Sequence, residues 1–188
     1  MYQVKTIFNN QEIDNLIDAF HEQGECLAHQ DYNLFDVDKR QYPHKTWGPE
    51  IEKLNQYARD YTGNPELEVH SHYFVKYGEE AFCKLHRDDD SIVALTIVTV
   101  LETNDLVGGQ TMMWNKYSKS SRPRNKYAKR PKNQPHGPQG QYIIPVIVEH
   151  DDGESIIYDG KTLHGVAQVT QGTRTVMVSW YKNVNNST

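Results

Sequence analysis

Cysteine is nearly absent. The 188 residues hold only Cys26 and Cys83, in no Cys-x-x-Cys pair, so no disulfide framework staples the chain and reduced thiols are the ordinary reading. Long apolar runs are missing too. No stretch approaches the roughly 18 apolar residues of a membrane helix, and the opening MYQVKTIFNNQEIDN lacks the apolar core of a secretory signal. An excess of positive charge is likewise missing: 20 Lys and Arg stand against 25 Asp and Glu, for a net charge of −5. That balance gives no reason to expect a general binder of nucleic acid or membranes. There is no internal repeat. The expectation is a soluble, cytoplasmic protein.

What the sequence does hold is a change of texture. Over 10–22, Ile13, Leu16, Ile17 and Phe20 recur at helical spacing behind Asn10 as N-cap. Over 49–61, Pro49 suits a first turn, and Ile51, Leu54, Ala58 and Tyr61 line one face. From Leu67 onward the chain offers strands instead: LEVHSHYFVKY, SIVALTIVTVL, QYIIPVIVEH, SIIYD and RTVMVSWY. They are rich in Val, Ile, Thr and Tyr and are punctuated by Gly, Asn and Asp. Helices followed by many strands predict an antiparallel sandwich or barrel with helices packed outside.

Within this β-rich part, His86-Arg87-Asp88 precedes a strand. In an extended segment residues i and i+2 share a face, so an imidazole and a carboxylate stand side by side. His164, in KTLHGV, completes two His and one carboxylate, the facial set that suits Fe(II) and leaves coordination positions open. A His-x-Asp by itself occurs often by chance. His70, His72, His136 and His150 are competing histidines, for which structural or surface roles are the simpler reading. Arg174 follows His164 by ten residues, in HGVAQVTQGTRTVMVSWY. A guanidinium grips a carboxylate with two parallel hydrogen bonds. An ordinary surface arginine is the alternative, but Val176, Val178 and Trp180 share its face, and a charge on a buried face needs a partner. With both His164 and Arg174 facing inward, a three-residue hairpin loop is predicted at Gln171-Gly172-Thr173, placing Thr170 opposite Arg174 and His164 opposite Trp180.

These residues resemble the 2-oxoglutarate/Fe(II) dioxygenase superfamily, most closely its prolyl 4-hydroxylase-type branch, over about residues 67–181. Tyr77-Gly78 lies nine residues before His86, like the tyrosine that helps hold 2-oxoglutarate in that branch. Leu95-Thr96-Ile97 with Leu101 resembles the core strand after the His-x-Asp. Gly108-Gly109-Gln110-Thr111 is similar to a Gly-Gly-Glu-Thr motif, with Gln in place of Glu. Gly153 to Tyr158 and Leu163-His164 resemble the segment of the distal histidine, and Gly172-x-Arg174 with Trp180 the end of the core. That branch commonly has Lys where Arg174 stands, and together with Gln110 this weakens any inference that the substrate is proline.

The resemblance implies a mainly β fold, a double-stranded β-helix (a jelly-roll, cupin-like core). It implies one oxygenase domain over 1–188, with 1–66 as helical support, 67–181 as the core and 115–141 as a basic insertion. His86, Asp88 and His164 would bind Fe(II), Arg174 would anchor 2-oxoglutarate, and Tyr77 and Thr96 would assist. O₂ is the second cosubstrate, succinate and CO₂ are products, and ascorbate is a further candidate cofactor. Asp88 argues against a halogenase, which needs that coordination position for halide. Hydroxylation of prolyl or another amino-acid residue in a peptide or protein is the first substrate reading. An oxygenase of nucleic acid or a small metabolite is the alternative, and a catalytically silent jelly-roll binding module is the reading from another class.

Residues 115–141 contain no Asp or Glu, and eight basic residues fall between Lys116 and Lys132: Lys116, Lys119, Arg122, Arg124, Lys126, Lys129, Arg130 and Lys132. Such a segment is expected to be a lid that steers anionic partners, or else a solvated insertion. Tyr117 and Tyr127 suit a base or a proline equally, so nucleic acid is admitted as a partner without being favoured.

Overall fold

Phe74 and Val75 are neighbours in sequence and both are buried, as are Met177 and Val178. Successive strand side chains point to opposite faces, so this pattern requires a sheet covered on both sides. The computed structural model, which describes residues 2–23, 33–41, 48–88, 92–114 and 145–184, has that architecture. The strands are β1 (Tyr2–Thr6), β2 (Leu34–Gln41), β3 (Leu67–His86), β4 (Leu95–Gly108), β5 (Thr111–Trp114), β6 (Pro145–Val148), β7 (Glu154–Asp159), β8 (Leu163–Val166) and β9 (Val169–Asn183), with helices α1 (Asn10–Glu22) and α2 (Pro49–Thr62). All pairings are antiparallel, in the order β1-β7-β4-β9-β3-β8-β5-β6, with β2 on the other edge of β3. The sheet curls into the jelly roll that the resemblance implies.

β3 is the hinge of the topology. Its first half, Leu67 to Tyr77, pairs with β9, while Cys83 and His86 pair with Val166 and His164 of β8. Between Cys83 and His86 the register shifts, because β3 advances three residues while β8 advances two. Side chains on one face of the larger part (Tyr73, Val75, Tyr77, Val100, Val176, Val178) form an interior cluster. On the other face Phe74, Leu95, Ile97, Met177 and Tyr181 meet Leu16 and Phe20 of α1 and Ile51, Leu54 and Ala58 of α2. No helix among the described residues is long and apolar enough to cross a membrane.

Three local expectations are corrected. The N-cap of α1 is Asn9, not Asn10: its Oδ1 accepts from Glu12 N at 3.0 Å, and its own N–H donates to Glu12 Oε2 at 2.7 Å. Glu12 lies three residues beyond Asn9, which makes a capping box possible there. Tyr61 is 37% exposed; the buried face of α2 is completed by Asn55, whose Oδ1 accepts from Tyr181 Oη at 3.1 Å. No hairpin forms at 171–173, because β9 runs unbroken through it. Gly172, at φ 78°, sits in an irregular stretch of the β4–β9 ladder, where an added Cβ would lie 2.2 Å from Asn104 O. Arg174 faces Tyr77 and Thr103, His164 faces His86 and Met113, and Trp180 faces Thr96. The basic segment 115–141 lies outside the described residues, as do Cys26 and His136.

Candidate metal centre

His86 closes β3 and His164 lies on β8, directly opposite across the ladder, with ring centroids 4.3 Å apart. Each ring is aimed by a backbone carbonyl: His86 Nδ1 stands 2.8 Å from Lys84 O, and His164 Nδ1 stands 2.9 Å from Thr162 O. A carbonyl can only accept, so Nδ1 carries the proton and the Nε2 lone pair is free to bind an ion. Asp88, just past the strand, brings Oδ1 to 3.7 Å from His86 Nε2 and 3.8 Å from His164 Nε2. Its Oδ2 accepts from Thr96 Oγ1 at 2.5 Å. One carboxylate oxygen is therefore occupied by the protein, and the other is turned to the histidines.

The three ligand atoms lie within 4.8 Å of one another. Two ligands at right angles around a divalent ion, each about 2.1 Å away, stand about 3 Å apart. Small inward rotations would close this set on an ion. Two imidazoles and one carboxylate fit Fe(II) in its facial arrangement. Burial resists charging His86, but the Asp88 carboxylate, with help from Cys83 and the Lys84 carbonyl, raises it to about 10. Burial likewise pushes Asp88 up, yet His86, His164 and Thr96 together bring it below the ordinary carboxylate range. His164, mainly through burial, titrates below an ordinary histidine.

The cluster opens into a cavity of about 150 Å³ whose walls include Tyr77, Val98, Thr111, Tyr158, Val176 and Arg174. Arg174 is 2% exposed. Its Nη1 donates to Gly109 O at 2.7 Å, and its Nη2 donates to Thr111 Oγ1 at 3.0 Å and to His150 Nε2 at 2.7 Å. Among the described residues none supplies a carboxylate within ion-pair distance of it. Described residues engage three of its five guanidinium N–H groups. Burial lowers the guanidinium from its ordinary value, but an arginine stays charged regardless.

Tyr77 is buried, pairs with Arg174 across the ladder and lines the same cavity. Thr96, expected beside the cosubstrate, is placed differently: its hydroxyl is spent on Asp88, and its side chain is not part of the cavity wall. Two residues that carry no expected role also border the site: Tyr158, whose buried phenol packs 4.6 Å from the His164 ring, and Thr111, which accepts from Arg174. His150, for which a structural or surface role is the simpler reading, instead reaches Arg174. Tyr158 and Thr111 both fall inside motifs that carry the resemblance, whereas no motif includes His150.

No protein-family model matches the sequence, and no curated protein matches it. Solved structures do match. The viral collagen prolyl hydroxylase vCPH from Paramecium Bursaria Chlorella virus-1, in its 2OG complex, is 14% identical at a TM-score of 0.65, covering 97% of this chain and 96% of that one. The non-heme α-ketoglutarate-dependent epimerase SnoN from nogalamycin biosynthesis is 13% identical at a TM-score of 0.68, covering 97% and 78%. HygX from Streptomyces hygroscopicus, with nickel, 2-oxoglutarate and hygromycin B bound, is 12% identical at 0.63, covering 98% and 83%. With that architecture shared nearly end to end and a His-Asp-His cluster in its cavity, the chain has the fold of the 2-oxoglutarate/Fe(II) oxygenases, prolyl hydroxylases among them.

Proposed function

We propose that this protein is an Fe(II)- and 2-oxoglutarate-dependent dioxygenase that hydroxylates a C–H bond of a prolyl or other amino-acid residue in a peptide or protein. One observation carries the reading. A buried arginine with no carboxylate partner among the described residues and an inward-facing His-Asp-His set open into the same cavity. An unpaired buried cation is costly unless something anionic completes it, and the dicarboxylate 2-oxoglutarate is an anion that also chelates a metal. His86, Asp88 and His164 hold the metal, Arg174 receives the far carboxylate, and Tyr77 and Tyr158 wall the space between. When bound, Fe(II) and 2-oxoglutarate supply the oxidising chemistry, consuming O₂ and releasing succinate and CO₂, with ascorbate keeping the metal reduced. The chain's own share is to aim the ligands, fix the dicarboxylate and exclude water with Val98, Val176 and Val178. A cytoplasmic setting suits Cys83, a free thiol 3.7 Å from His86 Nδ1.

The collagen prolyl hydroxylase among the neighbours favours a peptide substrate. HygX, with hygromycin B bound, and the epimerase SnoN favour the second reading, a small metabolite. Incubation with Fe(II), 2-oxoglutarate and ascorbate should release succinate and add one oxygen atom to a proline-containing peptide, read by mass spectrometry. His86→Ala, Asp88→Ala and His164→Ala should each abolish turnover while the fold persists, since the core is built by other residues. Near-normal turnover in His164→Ala would falsify the metal assignment.

A further inference from the structure

We infer that His150 is a positioning residue for Arg174: a neutral imidazole that orients the guanidinium without cancelling its charge. The inference rests on the reading of Arg174 as the anchor of 2-oxoglutarate. His150 lies in the turn between β6 and β7, which is fixed by three bonds: Asp151 N to Glu154 Oε2 at 2.9 Å, Glu154 N to Asp151 O at 3.1 Å, and Gly153 N to Val100 O at 2.8 Å. Its Nδ1 stands 2.9 Å from Val148 O, and its Nε2 stands 2.7 Å from Arg174 Nη2. These two contacts determine the protonation. Val148 O can only accept, so Nδ1 carries a hydrogen; the guanidinium can only donate, so Nε2 carries none. A doubly protonated ring would point an N–H at a cation. Burial first, and the Arg174 charge second, hold His150 down at about 4, against weaker opposing pulls from the Val148 carbonyl, Glu154 and Asp151.

The choice of partner has a consequence for binding. A buried arginine is ordinarily matched by a carboxylate, which satisfies its N–H groups and also neutralises it. Here Gly109 O, Thr111 Oγ1 and His150 Nε2 are all neutral acceptors. They fix the guanidinium plane while leaving its positive charge for an incoming anion. His150 is not part of the cavity wall, so it acts through Arg174 and touches no ligand itself.

The test measures 2-oxoglutarate affinity calorimetrically on the full chain loaded with Mn(II), alongside Mn(II) affinity and thermal stability. His150→Gln keeps an acceptor near the Nε2 position and should stay within about threefold of the wild type. His150→Leu removes the acceptor and should weaken 2-oxoglutarate by about tenfold or more, the usual scale for a hydrogen bond to a charged group. His150→Glu keeps a strong bond to Arg174 but neutralises it, so it should bind 2-oxoglutarate worst of the three. Mn(II) affinity should hold throughout. A merely structural role predicts the opposite order for Glu and Leu. Wild-type affinity in His150→Glu, or equal loss in Gln and Leu, overturns the inference. Arg174→Ala is the control: unchanged 2-oxoglutarate affinity there would instead remove the anchor reading on which the inference rests.

Discussion

Replacing Thr96 by Val tests what this residue serves. The substitution is nearly isosteric and deletes one hydroxyl at a position with no solvent exposure. That hydroxyl donates at 2.5 Å to Asp88 Oδ2, on a carboxylate that is itself 6% exposed. Water cannot readily replace it, so the loss is that of a buried hydrogen bond to a charged group, about 1.5–3 kcal/mol. The carboxylate also loses its orienting partner, because Oδ2 is pinned only so that Oδ1 can face the two Nε2 atoms. Partners of this kind are worth about 10- to 100-fold in metal affinity, which agrees with the energy through about 1.4 kcal/mol per factor of ten. Titration of Mn(II) or Zn(II) into Thr96→Val should show that weakening, and Thr96→Ser, which keeps the donor, should restore most of it. At saturating metal, 2-oxoglutarate affinity should move little. If metal affinity is unchanged while 2-oxoglutarate binding falls, Thr96 contacts the cosubstrate and its hydrogen bond to Asp88 does not orient the carboxylate.

Arg174→Ala should raise the 2-oxoglutarate requirement by orders of magnitude, since removing one partner of a buried charge pair typically costs about 3–5 kcal/mol; Arg174→Lys should be milder, and unchanged saturation kinetics in Arg174→Ala would exclude it as the anchor. Gly172→Ala should destabilise by more than about 1 kcal/mol, because φ is 78° and the new Cβ would lie 2.2 Å from Asn104 O; an unaltered melting temperature refutes this. The pH dependence of stability has a definite sign. His150 titrates at about 4 in the folded protein against an ordinary 6.5, so between those values the unfolded chain binds more protons and stability must fall as the pH drops from 6.5 toward 4. His150→Gln should flatten that part of a melting-temperature profile, and an equally steep profile in the variant would disprove the assignment.

The parts of this protein that were legible in its sequence are those with a short-range pattern. The apolar stripes of α1 and α2 repeat every three or four residues, and Arg174, Val176, Val178 and Trp180 alternate as a strand demands, so their common face was readable. His86 and Asp88 are two apart, and His164 sits in a recognisable segment. What was not legible depends on partners distant in sequence. Gly172 looked like a turn glycine because its close approach to Asn104 lies on another strand. Thr96 looked like a ligand contact because nothing local shows that its hydroxyl reaches back to Asp88. His150, in the polar run EHDDGE, has no pattern around it at all; its significance comes from Arg174, 24 residues on. β1 and β2 carry little signal because β1 is short and largely exposed, and the LFDVDKR part of β2, mostly half-buried, mixes charges into its alternation.

The extra residue that β3 carries between Cys83 and His86 has a consequence for how this architecture can vary. Cys83 and His86 border the same cavity although they are three positions apart, a spacing that a regular strand would send to opposite sides. The bulge restores the parity, with the exposed Lys84 and Leu85 taking up the surplus. Shortening the chain by one residue here would leave every strand able to pair, yet it would turn His86 outward and disarm the cavity without unfolding it. The count of residues from Cys83 to His86 therefore decides whether His86 faces the cavity at all.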